Sequence, residues 1–257
     1  MSQLRANNYV VWALVKRGLN EILRVPGASI PGILAPTIFM LGSYSVFGRL
    51  GTLPGFSGVD YLDWIMPLGL LQAAGFAGAA TGVNLARDIE SGWFDRLMLS
   101  PIPRTVILAG IILSASVRML FPATLLLTIG WALGLAWPGA LGLLIALLLA
   151  TAFAAAMACW SASLAMKFRS QDAAPLMQST GFVLVQFSTA FAPLVLLAPW
   201  LQHVARVNPV TYMLRGIRQG FLDVVTWHNT WPGLLAVSIL LLLATTISLR
   251  SLNRIGQ

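Results

Sequence analysis

Few side chains in this sequence can carry bond-making chemistry, and their spacing keeps them apart. Eight acids, two histidines and one cysteine are spread over 257 positions. Asp60 with Asp63 forms one acidic pair and Asp88 with Glu90 another, the kind of arrangement with which intramembrane prenyl and phosphatidyl transferases hold Mg²⁺ against a diphosphate. The charge-free stretch Trp64 to Ala86 lies between them and is long enough to cross a bilayer, so the pairs belong on opposite faces and cannot share a metal. His203 and His228 lack the His-Glu-x-x-His spacing and an evident acid partner, which leaves them as interfacial polar side chains. Cys159 stands alone in an apolar run, so neither a disulfide framework nor a thiolate cluster is expected. A phosphate-cradling loop needs a lysine after a glycine. Lys16 follows Val15 and Lys167 follows Met166, so any ATP hydrolysis has to come from another polypeptide. No acid falls at the middle of an apolar stretch, where an ion-driven carrier keeps its charges. The chain itself is therefore expected to hold no catalytic residue, no metal and no cofactor.

The elements that position these residues are those of a membrane protein. Hydrophobic residues make up 58% of the chain and charged ones 9%, against roughly 45–50% and about 25% in soluble domains. The net charge of +8 sits between apolar spans and reflects topology, with no nucleic acid as partner. The pattern predicts an all-α fold with six transmembrane helices near 28–48, 64–86, 107–135, 139–166, 175–199 and 232–249, the long apolar region after Thr105 being divided at Trp137-Pro138-Gly139. One domain spans 1–257, with a cytoplasmic interfacial helix in 1–27, a six-helix membrane domain over 28–249 and a cytoplasmic tail at 250–257. The first apolar run lacks a small-residue cleavage pattern, so no removable signal peptide is expected.

Orientation follows from the cations. Arg5, Lys16, Arg17, Arg24, Arg87, Arg96, Arg104, Lys167, Arg169, Arg250 and Arg254 fall on one side, against Arg49, Arg206, Arg215 and Arg218 on the other. The positive-inside rule then puts both termini in the cytoplasm. Trp64, Trp137, Trp200, Trp227 and Trp231 fall at the opposite, outer boundary, where amphipathic rings prefer the headgroup level. Residues 11–24 split into a polar and an apolar side on a helical wheel, the mark of a helix lying in the inner interface. In the loop 87–104, Ile89, Trp93 and Leu97 recur every four residues, predicting a short amphipathic helix ended by Pro101 and Pro103. The outer loop 201–230 is too long and too apolar for a bare connection.

Several polar residues fall inside spans. Arg118 is either a contact for an anionic headgroup or partner helix, or a cation snorkelling to the inner interface. Gly75, Gly78 and Gly82, like Gly130 and Gly134, give small-residue faces for close helix packing. Gln72, Asn84, Gln178, Gln186, Ser188 and Thr189 either line a pathway for an amphiphile or bond helix to helix.

With these features in place, the sequence resembles the membrane subunits of ABC-2 type exporters, particularly the daunorubicin-resistance and nodulation-factor export permeases. The likeness spans nearly the whole chain. It rests on six spans of this length, on Arg87-Asp88-Ile89-Glu90-Ser91-Gly92-Trp93-Phe94-Asp95-Arg96-Leu97 followed by Ser100-Pro101-Ile102-Pro103-Arg104, and on Asn208-Pro209-Val210-Thr211-Tyr212 leading to Arg215 and Arg218. Trp93, Asp95 and Ser100 stand where such families carry threonine, glutamate and threonine. The resemblance implies a permease in a bacterial inner membrane that pairs with a second permease, as homo- or heterodimer, and with two ATP-binding-cassette subunits that bind ATP and Mg²⁺. It implies a coupling helix at 89–98, with Ile89, Glu90, Gly92, Trp93, Phe94, Asp95 and Leu97 meeting the ATPase through exposed aromatics. It also implies an outer gate of re-entrant helices carrying Asn208, Pro209, Tyr212, Arg215 and Arg218, the alternative for that segment being an interfacial helix that braces the fold. The expected activity is export of a hydrophobic or amphipathic compound, as in multidrug efflux and antibiotic resistance, with Gln72, Gln178, Gln186 and Thr189 as path residues. Export of a lipid-linked saccharide is the alternative within the same machinery. A secondary transporter or an intramembrane transferase is the alternative outside it.

Overall fold

The computed structural model describes residues 3–24, 26–52, 56 and 59–254; the end of the expected tail, 255–257, lies outside the described residues. Among them the chain is all-helical, with α1 (Gln3–Arg24), α2 (Pro26–Phe47), α3 (Tyr61–Glu90), α4 (Trp93–Met98), α5 (Arg104–Ala132), α6 (Gly139–Phe168), α7 (Ala174–Gln186), α8 (Pro199–Val207), α9 (Pro209–Leu222) and α10 (Trp227–Arg254). Four of these, α3, α5, α6 and α10, are long and apolar enough to cross a bilayer, and Gly32–Phe47 of α2 is a shorter apolar helix.

The expected spans at 28–48, 64–86, 107–135, 139–166 and 232–249 fall on α2, α3, α5, α6 and α10. The expected span 175–199 does not hold as one helix. Its α-helical part, α7, stops at Gln186 after 13 residues, about 20 Å at 1.5 Å per residue against a hydrocarbon core of about 30 Å. Pro193, and Pro199 after it, lack the N–H a continuing helix would use and push the residues before them out of the α region. Only a short 3-10 turn, Leu194–Leu196, interrupts the rest.

Helix α3 is central, touching α2, α5, α6, α7 and α9. In a membrane, lipid is as apolar as leucine, so helices are held by close packing and by hydrogen bonds, and glycines supply the close packing here. A Cβ at Gly78 would stand 2.5 Å from Cβ of Met157, and one at Gly82 would stand 2.3 Å from Cβ of Ser161. Gly75 faces Gly181 of α7, leaving backbone against backbone. The pair Gly130 and Gly134 departs from the packing expectation. Gly130 packs on Met66 and Leu135, but Gly134 has open space around it and a φ of 101°. It ends α5: the Leu135 amide donates to Gly130 O at 2.9 Å and the Gly134 amide to Trp131 O at 3.2 Å, a left-handed helix stop that suits glycine.

Buried side chains form two clusters. The larger includes Ile65, Met66, Leu70, Met119, Phe153 and Ile217, and the smaller gathers Leu85, Ile89, Phe94, Leu108, Met166 and Leu252 at the other end of the bundle. Trp137, Trp200 and Trp227 are exposed at the end where α3 begins, and Leu242 and Leu243 are exposed along α10.

Candidate functional site

The residues of the two motifs named by the sequence lie at the two ends of α3. At its C-terminal end, Ile89 and Glu90 are its last turn, Ser91 and Gly92 form a bend, and α4 begins at Trp93. The single helix expected over 89–98 is thus two elements. Gly92 has φ 69°, a left-handed conformation that stops α3 and turns the chain without cost to glycine. The expected exposure of both aromatics is also corrected. Phe94 is 2% exposed and belongs to the smaller core cluster, while Trp93 is half-buried with the Arg17 guanidinium 3.7 Å above its ring. The apolar side chain that does face outward is Leu99, 87% exposed, just beyond the α4 residues that carry the motif.

Helix α1 is bound to this end by charge. Arg17 donates to Asp88 and lies 3.5 Å from Glu21, whose carboxylate accepts from Asn84 Nδ2 at 2.7 Å and stands 3.9 Å from Arg118 Nη1. This accounts for the intramembrane cation: Arg118 meets a carboxylate from the N-terminal helix. Gly18 permits the approach, with Ser114 at 2.9 Å from the place a Cβ would occupy. The side of α1 that reads as polar on the wheel therefore faces protein at Arg17 and Glu21, whereas Tyr9 and Trp12 are exposed. Burial raises the Glu21 pKa above the ordinary glutamate value, and Arg17 and Arg118 oppose that shift. On the far side, Glu90 accepts from the Gln171 amide N–H at 2.7 Å and from its side chain, and Arg169 donates to both oxygens of Asp95 at 3.1 Å. The end of α3, α4, and the turn between α6 and α7 thus make one cross-linked platform. Gly92 also accepts, through its carbonyl, from Arg96 Nε at 3.3 Å, and Leu97 is half-buried.

At the N-terminal end of α3, the Asn-Pro motif closes the break in the fifth expected span. Asn208 is 8% exposed; its Oδ1 accepts from Val210 N at 2.9 Å, capping α9, with Pro209 at the first helical position. Its amide nitrogen donates to Leu184 O at 2.7 Å and Phe187 O at 2.8 Å, carbonyls left open by the end of α7. Arg218, 6% exposed, continues the repair: Nη2 donates to Thr189 O at 3.0 Å and Ala190 O at 3.3 Å, Nε donates to Trp64 O at 3.2 Å, and Cζ lies 3.7 Å over the Trp64 ring. Tyr212 and Arg215 are exposed. The first donates to Arg206 O at 2.7 Å and the second to Asn229 Oδ1 at 2.8 Å.

Of the path residues, Gln72 and Gln186 meet at 3.5 Å between α3 and α7, so they are at least an interhelical contact. Gln178 is exposed, and Thr189 is buried with its carbonyl on Arg218. The acids of the two pairs have structural partners. Asp60 caps α3 by accepting from Leu62 N at 2.8 Å, Asp63 accepts from Ala136 N at 2.8 Å, and Asp88 and Glu90 are held as described at the other end of the same helix.

Sequence reasoning passed over Gln219, which is buried. Its side-chain nitrogen donates to Gly216 O at 3.0 Å and to Thr230 Oγ1 at 2.6 Å, while its oxygen accepts from Thr226 N at 2.9 Å. It locks the turn from α9 into α10. A glutamine one residue after Arg218 in an apolar helix was the available signal. Arg17, Gln171 and Arg169 were also missed as partners, since each lies far in sequence from the residue it holds.

The chain matches the family model described as ABC-2 type transporter over residues 9–222. It is 26% identical over 230 residues to the inner membrane transport permease YadH of Escherichia coli strain K12, covering 84% of this chain and 86% of that protein. It is 27% identical over 233 residues to the daunorubicin resistance ABC transporter permease protein DrrB1 of Streptomyces coeruleorubidus, covering 86% and 80%. The matched region takes in both ends of α3 and every motif residue placed above, and the chain belongs to the ABC-2 type transporter family as an integral membrane transport permease.

Proposed function

We propose that this chain is the permease half of an ATP-driven exporter of a bacterial inner membrane, moving a hydrophobic or amphipathic compound outward. Six crossings are made by α2, α3, α5, α6, α7 with the extended stretch that follows it, and α10, within a single domain. Both termini are cytoplasmic and α1 lies on the inner interface. Two ATP-binding subunits, carrying ATP and Mg²⁺, dock on the platform of Glu90, Gly92, Trp93, Asp95 and Leu97, which the buried Ile89 and Phe94 anchor to the core, and a second permease copy completes the pathway. Helices α8 and α9 enter the membrane part way as an outer gate, with Asn208, Pro209, Tyr212, Arg215 and Arg218 holding it, while Gln72, Gln186 and Thr189 border the path.

The observation that carries this reading is the platform itself. The adjoining ends of α3 and α4 are tied to a turn remote in sequence, Glu90 to Gln171 and Asp95 to Arg169, and they present Leu99 outward. A solvated connector has no need of that bracing, whereas a rigid surface with an apolar anchor suits a partner groove. The eleven cations counted on the inner side agree with it, since Arg17, Arg87 and Arg169 all bond at this end. Purification of the native complex tests the proposal: an ATP-binding-cassette subunit should co-purify, and Leu99→Asp should reduce its recovery severalfold with no loss of permease. Recovery of the permease without any ATPase, or full ATPase recovery with Leu99→Asp, would count against the platform as docking site.

A further inference from the structure

A cavity of 490 Å³ opens between α8, α9, the stretch after α7 and the start of α3. Its wall includes three arginines, Arg206, Arg215 and Arg218, against one carboxylate, Asp223. Among the described residues, the ion pairs within 4.0 Å involve Arg17, Arg118 and Arg169 alone, so none of these three guanidiniums is neutralised by a carboxylate. Two other wall residues, Trp64 and Thr211, each have a buried polar atom, the indole Nε1 and the hydroxyl, with no hydrogen-bond partner among the described residues. Pro193, Leu194 and Leu222 give the wall an apolar part, beside the neutral polar side chains of Thr189, Gln219 and Asn229.

We infer that this cavity binds the anionic head of a phosphate-bearing amphiphile. Three guanidiniums and two unpartnered polar atoms in the wall face one carboxylate, and the guanidinium fork matches the oxygens of a phosphate two at a time. Arg218 is fixed by its three carbonyl contacts and by Trp64, so it is preorganised and loses little freedom when an anion arrives. The apolar wall takes the first carbons of a tail, and the exposed tryptophans Trp200 and Trp227 mark this end as headgroup level. The inference rests on the reading above only in taking this as the outer end. Its failure shows in lipid retention, whereas failure of that reading shows in ATPase co-purification.

The test uses the full chain in neutral detergent, with phosphatidylglycerol added and bound lipid counted by native mass spectrometry. Wild type should retain phosphatidylglycerol, and Arg206→Gln with Arg215→Gln should weaken retention by about tenfold or more for each charge-assisted hydrogen bond removed. Arg206→Lys with Arg215→Lys keeps the charge and loses the fork, so it should fall between the two, and it serves if the glutamine pair does not fold. Arg49→Gln, an exposed outer cation away from the cavity, should change nothing. Inorganic phosphate displacing phosphatidylglycerol at equal concentration would show that the tail adds nothing and overturn the amphiphile; displacement only at a large excess is the expected result. Retention unchanged in the double glutamine variant, or an equal loss with Arg49→Gln, would overturn the inference in favour of diffuse surface attraction.

Discussion

Asn208 does two jobs that one substitution can separate. Its oxygen caps α9 through Val210 N, and its nitrogen supplies Leu184 and Phe187 carbonyls at the end of α7. Asn208→Ala removes both: about 1 kcal/mol for the cap and about 1 kcal/mol net for each hydrogen bond, with more because carbonyls stranded near hydrocarbon have no water to turn to. A loss of about 3 kcal/mol or more is expected. Asn208→Asp keeps an acceptor for Val210 N and puts a negative charge at a helix N-terminus, favourable by about 0.5 kcal/mol. The same change places a carboxylate oxygen against two carbonyl oxygens where a donor stood at 2.7 and 2.8 Å, so the aspartate variant should be less stable than the alanine one by about 1 kcal/mol or more. Cys159 is the sole cysteine and is fully buried, so a thiol-reactive fluorogenic dye reports thermal unfolding directly. The expected order is wild type, alanine, aspartate. An aspartate variant as stable as wild type would mean the cap carries the residue and the repair of α7 does not.

Phe94→Ala should cost about 3–5 kcal/mol, as expected of a buried aromatic, whereas Trp93→Ala loses its stacking with Arg17, about 1 kcal/mol, and the packing of a half-buried ring, and should cost less; thermal midpoints that rank them the other way would contradict the burial of Phe94. The raised pKa of Glu21 means the folded carboxyl binds its proton more tightly than the unfolded one, so its contribution favours the fold most below pH 4.5 and is lost as pH climbs through the raised value. Glu21→Gln should flatten stability over that window, and an unchanged pH profile would show that the carboxyl is not desolvated. In a Cys159→Ala background, cysteine at the exposed positions Val224 or Trp227 should react with an impermeant thiol reagent added outside intact cells, and cysteine at Arg96 should not; the reverse pattern would invert the topology.

Periodicity and composition made most of the helices legible because a span is a local property: about twenty apolar residues bounded by breakers are visible wherever they occur. The two errors share a cause. A residue count cannot distinguish 25 apolar residues in one helix from 13 in a helix followed by extended chain, since what permits the break is donors from Asn208 and Arg218, distant in sequence. Likewise the period of Ile89, Trp93 and Leu97 runs on through Gly92 unchanged, but the backbone there is left-handed and turns Phe94 into the core. The motif residues at both ends were legible as residues, and what they bond to was not. Arg118 needed a counter-charge, and the sequence alone could not say that Glu21 of the first helix supplies it.

Helix α3 runs from one group of motif residues to the other. Its 30 residues, with Pro67 inside the helix removing one backbone donor, span about 45 Å, with Asp88 and Glu90 held at one end and Tyr61 and Trp64 at the other, where Tyr61 Oη donates to Phe191 O at 3.2 Å and Trp64 O accepts from Arg218. The seam with α6 is closed at Gly78 and Gly82 to less than the width of a methyl group, so sliding or rotating α3 against α6 would require the two to part there. The polar contacts at the two ends differ in kind: the ion pair of Arg169 with Asp95 is half-exposed on both partners and worth little individually, whereas Arg218 is buried and bonds three carbonyls with its guanidinium over Trp64. Glycine packing ties α3 to α7 as well, where Gly75 meets Gly181, and the half-exposed polar contacts lie at the α4 end, where Arg169 meets Asp95, and the buried ones at the end where Asn208 and Arg218 complete the broken span.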